Sequence, residues 1–332
     1  MSEFDRRGFK EFLAGLGDKL KDDESIQELL QFYCLHGVKE NEFASILALF
    51  LQRYSMGNDE KLTAVVNSSL PKHYGKLVES LPNKSSNSYF LSTNDFSNAS
   101  IIKKVVGVGK KGKLGRNPVS DIQVFNFPSD LRHVIELKSD RRQKYLSELL
   151  KYKKTKKFPK KGCIEALTID LKTLASLQAF SVYEGVVFWQ GILTYSFYQI
   201  GSTFPVNFPK YGATEAKDNK NKRKISMIRG DIDEKSWFES SSEESFDLEN
   251  ELKVFLSEQK FLVPPEEIYR IQVAQGIVNL YGELESSESR VLVQSELLIF
   301  EVQAKEIYLS QIAPQIINKY AKAIQQGNKR NR

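Results

Sequence analysis

Residues 117–138 read Asn-Pro-Val-Ser-Asp-Ile-Gln-Val-Phe-Asn-Phe-Pro-Ser-Asp-Leu-Arg-His-Val-Ile-Glu-Leu-Lys. Two β-prone runs, Asp121–Phe127 and Leu131–Lys138, lie either side of the turn Phe127-Pro-Ser-Asp130, which predicts a hairpin. Side chains two apart on a strand share a face, so Glu136 and Lys138 stand together, and the hairpin returns Asp121 beside them. Two carboxylates and the backbone carbonyl of Leu137 make an oxygen-rich position suited to Mg²⁺, which keeps waters for a phosphate ester to replace. The Lys138 ammonium is then placed to orient or acidify an attacking water and to offset charge developing on phosphate.

Working outward, Ile101–Val108 is a third β-prone run, and the three together suggest a meander. Behind Lys138, residues Arg141–Lys154 read as a helix carrying Tyr145, Leu149 and Tyr152 on one side, and residues 181–200 read as buried strand. Residues 4–80 are helical by the spacing of Phe9, Phe12, Leu13 and Leu16, then Phe43, Ile46, Leu47 and Leu51. The turn-rich stretch 82–88 separates that part from the β-prone runs. Four segments result: a helical N-terminal part at 1–90, an α/β core at 91–211, a charged linker or insertion at 212–245, and a helical C-terminal part at 246–332. The last rests on Leu248, Leu252, Phe255 and Leu256, and on helical spacing from Glu301 to Ile324.

Composition narrows the chemistry. With two cysteines far apart and three histidines in no ligand spacing, the chain offers neither a disulfide framework nor a Cys/His zinc site. No apolar run is long enough to span a bilayer, and the opening MSEFDRRGFKEF has no secretory apolar core, so a cytoplasmic protein without membrane contact is expected. The net charge of +6 favours a polyanionic partner modestly, and its distribution says more. Basic residues gather at 103–116, 151–161 and 217–229, and acidic residues after Asp231.

Pro118, Asp121, Glu136 and Lys138 carry a resemblance to the PD-(D/E)XK nuclease superfamily, which includes restriction endonucleases and DNA-repair nucleases. Its pattern is an Asp at the start of one strand, a short hairpin, then an acid and a Lys two apart on the next. Here Val119 and Ser120 stand between the proline and the aspartate, which in the family are often adjacent. The resemblance implies a restriction-endonuclease-like α/β core, a small mixed sheet flanked by helices, with the helical N- and C-terminal parts added. It implies a metal-dependent endodeoxyribonuclease of restriction or defence type, with Asp121, Glu136 and Lys138 catalytic and Mg²⁺, or Mn²⁺ in its place, held by Asp121, Glu136 and Leu137. Many members add an acid from a preceding helix; Glu42 is the choice, with Glu40 and Glu79 close behind. DNA is the expected partner, and a homodimer is compatible with it.

The glycine-rich loop Gly107–Lys113 matches the first part of a phosphate-binding loop, but Leu114 stands where the hydroxyl should be, and Gly115 and Pro118 forbid the helix that would come next. It reads instead as a basic loop close to a nucleic-acid backbone, with Lys110, Lys111, Lys113 and Arg116 near phosphates. Lys153, Lys154, Lys156 and Lys157, after the helix behind Lys138, are placed to flank the same cleft. The pair Asp170/Lys172 repeats the acid-x-lysine spacing, yet Ile164, Leu167, Leu171, Leu174 and Gln178 make that segment a helix and the pair incidental. Two rivals remain: a nucleic-acid-binding protein without cleavage, and a helical interaction subunit of a larger assembly.

Overall fold

The computed structural model describes residues 6–36, 40–57, 62–70, 98–106, 119–126, 130–158, 162–200, 207–208, 223–224, 247–281 and 288–328. In chain order these form α1 (Arg6–Asp22), α2 (Glu24–His36), α3 (Glu40–Gly57), β1 (Leu62–Ser69), α4 (Asn98–Val106), β2 (Val119–Asn126), β3 (Asp130–Arg141), α5 (Arg142–Thr155) and α6 (Cys163–Leu177). Then come β4 (Val187–Ile200), β5 (Asn207–Phe208), β6 (Arg223–Lys224), α7 (Leu248–Ser257), β7 (Leu262–Val263), β8 (Ile268–Tyr281), β9 (Glu288–Glu301), β10 (Gln303–Ala304) and α8 (Glu306–Asn328).

Six strands build one mixed sheet in the order β1-β2-β3-β4-β9-β8. Every neighbour pair is antiparallel except β3 and β4, which run parallel and are joined by the crossover through α5 and α6. Helices cover both faces. On one, Phe9, Phe12, Leu13, Leu16 and Leu20 of α1 join α2, α3 and the strand residues Ile122, Ile135, Leu137 and Trp189. On the other, α4, α5, α6, α7 and α8 pack against Val134, Phe188, Ile192 and Leu298. Alternation along β3 therefore sends Ile135 and Leu137 to the first core, and Val134, Glu136 and Lys138 to the second.

Close fit between β3 and β4 depends on Gly191, which lies opposite Leu137. A Cβ there would stand 2.5 Å from Leu137 Cδ2 and 3.2 Å from Leu297 Cδ1, so only glycine leaves room for both leucines. At the start of α6, Glu148 of α5 accepts the Ile164 amide at 3.1 Å and satisfies one of the helix's unpaired donors. Asp247 caps α7 in the same way, accepting from the Glu249 amide at 3.1 Å.

Three expectations need correction. Ile101–Val108 is not the third strand of a meander: Ile101, Ile102, Val105 and Val106 form the buried face of helix α4. The strand beside β2 is β1, inside the stretch expected to be helical throughout. Nor is the C-terminal part all helix, because between α7 and α8 the long β8–β9 hairpin completes the sheet. Of the segment expected to be a linker at 212–245, only the two residues of β6, paired with β5, fall within the described residues. No helix among the described residues is long and apolar enough to cross a membrane.

Candidate active site

At the carboxyl end of β3 the sheet brings Asp121, Glu136 and Lys138 to one face. Ile122 pairs with Ile135, which sets Asp121 across from Glu136. Asp121 Oδ2 accepts the Leu137 amide at 2.7 Å, and the Asp121 and Glu136 carboxyls lie close enough for charge on one to act on the other. Two carboxyls in this relation resist double ionisation. Burial raises the Glu136 pKa well above the usual carboxylate range, and the charges of Asp121 and Asp170 raise it further, against Lys104 and Lys138. Asp121 is raised as well, first by burial, although the Leu137 amide and Lys138 oppose the rise.

Lys138 is clasped by oxygens. Its Nζ lies 2.9 Å from Asp170 Oδ2 and 3.3 Å from Glu40 Oε2, and it donates to the Leu137 carbonyl at 3.1 Å. Glu40 also accepts the Ser139 amide at 3.3 Å. Burial alone would lower the ammonium's pKa, but Asp170, then Glu40 and Glu136, outweigh it and hold the group above the ordinary lysine value. From the neighbouring strand Gln190 donates its amide to the Glu136 carbonyl at 3.1 Å, fixing the backbone that carries the acid.

Asp170 at this centre departs from the reading of its sequence, and Glu40, one of the named alternatives, takes the place given to Glu42. Asp170 does lie on a helix, α6, as its spacing predicts, but it is not incidental: it is only 5% exposed and points at the sheet. Its other oxygen lies 3.2 Å from Nζ of Lys104, on α4. The available signal was an acid set among the apolar positions Ile164, Leu167, Leu171 and Leu174, a placement that burial tolerates only with cationic partners. Glu40, rather than Glu42, is the helix acid paired with Lys138, and both sit in the first turn of α3. Glu79 lies outside the described residues.

The expected nucleic-acid contacts divide. Lys110, Lys111, Lys113 and Arg116 lie outside the described residues. Lys153 pairs with Glu251 at 3.0 Å and Lys156 with Glu258 at 2.5 Å, so these two tie α5 to the segment of α7 rather than standing clear for a ligand. Lys154 and Lys157 are exposed and form no ion pair among the described residues.

Whether the donors suit a dication turns on their chemistry. Among the described residues no three His, Cys, Asp or Glu side chains form a ligand group. Mg²⁺ does not require one, since it is commonly bound through one or two carboxylates and otherwise by water and substrate phosphate. Asp121 and Glu136, hard-oxygen donors set across from each other on neighbouring strands, meet that lesser requirement. Comparison of the chain with family models, with curated proteins and with solved structures returns no match.

Proposed function

We propose that this chain is a Mg²⁺-dependent nuclease that hydrolyses phosphodiester bonds in DNA, with a restriction-endonuclease-like core. The observation that carries the proposal is the register of β2 and β3, which sets Asp121 across from Glu136 on the sheet face that also presents Lys138, with Asp121 bonded to the Leu137 amide. Asp121, Glu136 and the Leu137 carbonyl are the groups that would hold the metal, and a metal held there polarises a phosphoryl oxygen and makes water more acidic. The mixed sheet with helices on both faces supports the same reading.

The chain's own groups have separate tasks. Lys138, held charged by Asp170 and Glu40, is a cation for the phosphate and an orienting donor for water, not an acceptor of the water's proton. Gln190 and the Leu137 amide keep Glu136 and Asp121 in fixed relation, so little reorganisation accompanies reaction. In the hydrolysis, water's oxygen bonds to phosphorus, one P–O ester bond breaks, and a proton passes to the departing alkoxide.

The test is cleavage of plasmid, linear duplex, single-stranded DNA and RNA with Mg²⁺ or Mn²⁺ and with chelator. DNA should be cut only with metal, and Asp121→Ala, Glu136→Ala and Lys138→Ala should each abolish cutting while retaining most of the binding. A protein that binds DNA and cuts none of these substrates with either metal is the non-cleaving rival.

A further inference from the structure

We propose that Asp170 is a positioning residue of this centre, whose two carboxylate oxygens hold Lys138 and Lys104 side by side so that two cations face the phosphate. The proposal rests on the nuclease reading for the identity of the ligand, and on the geometry for the clasp itself.

Asp170 Oδ2 lies 2.9 Å from Lys138 Nζ and Oδ1 lies 3.2 Å from Lys104 Nζ. The carboxylate therefore spends one oxygen on each ammonium. Exposure rises outward from it: the Asp170 side chain is 7% exposed, Lys138 22% and Lys104 41%. The acid is the floor of the arrangement, and the lysines reach above it. They come from separate elements, α4 and β3, and each would otherwise wander over many rotamers. One buried anion fixes both, and preorganised cations stabilise developing charge more effectively than mobile ones.

The surroundings fit this division. Lys138 is also bound by Glu40 of α3 and lies beside Glu136 of β3 and Asp121 of β2, while the buried Tyr145 of α5 lies near enough to feel Asp170 and Glu40. Lys138 is thus the inner cation, at the carboxyl pair. Lys104, at the last turn of α4, is the outer one, and it leads into the basic segment 107–116. A phosphodiester presents two non-bridging oxygens, which two adjacent ammonium groups can meet. Placing a carboxylate beneath both lysines also prevents their mutual repulsion from driving them apart.

Asp170→Asn keeps the volume and removes the charge, and Lys104→Gln removes the outer cation alone. Side-chain ammonium signals of ¹⁵N-labelled lysine, assigned with Lys104→Gln and Lys138→Gln, report the clasp without any need for turnover. The wild type should show hydrogen-exchange-protected ammonium signals from both lysines, and Asp170→Asn should lose that of Lys104 and weaken that of Lys138, which Glu40 and the Leu137 carbonyl still hold. In cleavage with Mg²⁺, Asp170→Asn should lower kcat by ~10-fold or more through lost orientation, whereas Lys104→Gln should raise KM more than it lowers kcat. A Lys104 signal that stays fully protected in Asp170→Asn, or a wild-type kcat of that variant, would overturn the proposal. Should Asp170→Asn fail to fold, an unchanged KM in Lys104→Gln overturns it instead. A wild type that cleaves nothing, in a protein whose Lys104 signal is lost and Lys138 signal weakened by Asp170→Asn, refutes the nuclease reading and upholds the clasp.

Discussion

Asp121 on β2 accepts the backbone amide of Leu137 on β3 at 2.7 Å, so the first acid of the centre is bonded to the strand that carries the other two groups. This bond means that one side chain serves both the hairpin and the proposed chemistry, and the two roles separate by substitution.

Asp121→Asn retains an oxygen for the Leu137 amide and removes the charge, so it should stay folded and lose cleavage. Asp121→Ala leaves the amide without its acceptor and should cost ~1–3 kcal/mol of stability as well. Denaturant unfolding of both variants checks this, and equal stability of the two would mean that the bond contributes nothing.

Gly191 yields a second prediction, because a Cβ there would meet Leu137 Cδ2 at 2.5 Å and Leu297 Cδ1 at 3.2 Å. Overpacking of this kind costs about 1–3 kcal/mol, and Gly191→Ala should lower the melting temperature. Displacing Leu137 also disturbs its amide and carbonyl, so cleavage should fall in a variant that touches no substrate. A variant with wild-type melting and wild-type activity would show that β3 and β4 have slack at this point.

The hairpin of Asp121, Glu136 and Lys138 was legible because a local turn and a period of two decide which side chains share a face. The remaining contacts were not, because they join distant segments: Lys138 to Asp170 on α6, Lys104 on α4 to the same acid, and Glu40 on α3 to Lys138. Ile101–Val106 misled through its β-branched residues, although Ile101/Val105 and Ile102/Val106 have the four-residue spacing of the helix they form. Packing against α6 overrides strand preference there. In β1, the sequence Leu-Thr-Ala-Val-Val-Asn-Ser-Ser is held as a strand by its pairing with β2, a partner more than fifty residues on.

Pairing of Lys153 with Glu251 and of Lys156 with Glu258 predicts that the lysine cluster after α5 is functionally divided. A Lys154→Gln/Lys157→Gln double variant should weaken duplex binding and reduce the slope of log affinity against log salt by ~1–2, as expected for two lost phosphate contacts. A Lys153→Gln/Lys156→Gln variant should loosen the contact with α7 by no more than ~1 kcal/mol per exposed pair. Equal effects of the two variants on the salt slope would remove the division.

The raised pKa values of Glu136 and Asp121 predict how stability depends on pH and metal. A carboxyl whose folded-state pKa lies above its unfolded value binds its proton more tightly when folded. Its stabilising contribution is complete below the unfolded values of 4.5 and 3.8 and is lost as pH rises through the folded values. At pH 8 ionising this pair therefore opposes folding, and Glu136→Gln, which cannot ionise, should melt higher than the wild type. The difference should shrink as pH falls toward 4, because folded Glu136 holds its proton more tightly than the unfolded chain does. Mg²⁺ at pH 8 should raise the wild-type melting temperature by binding the two carboxylates, and should do little for Glu136→Gln. That variant should nevertheless lose cleavage by about 10²–10³-fold, since several kcal/mol of transition-state stabilisation depends on the carboxylate's metal. Thermal melts of both proteins at pH 4 and pH 8, with Mg²⁺ and with chelator, decide the matter. A Glu136→Gln protein that melts below the wild type at pH 8, together with a wild type indifferent to Mg²⁺, would show that Glu136 is an ion-paired structural residue and not part of a metal site.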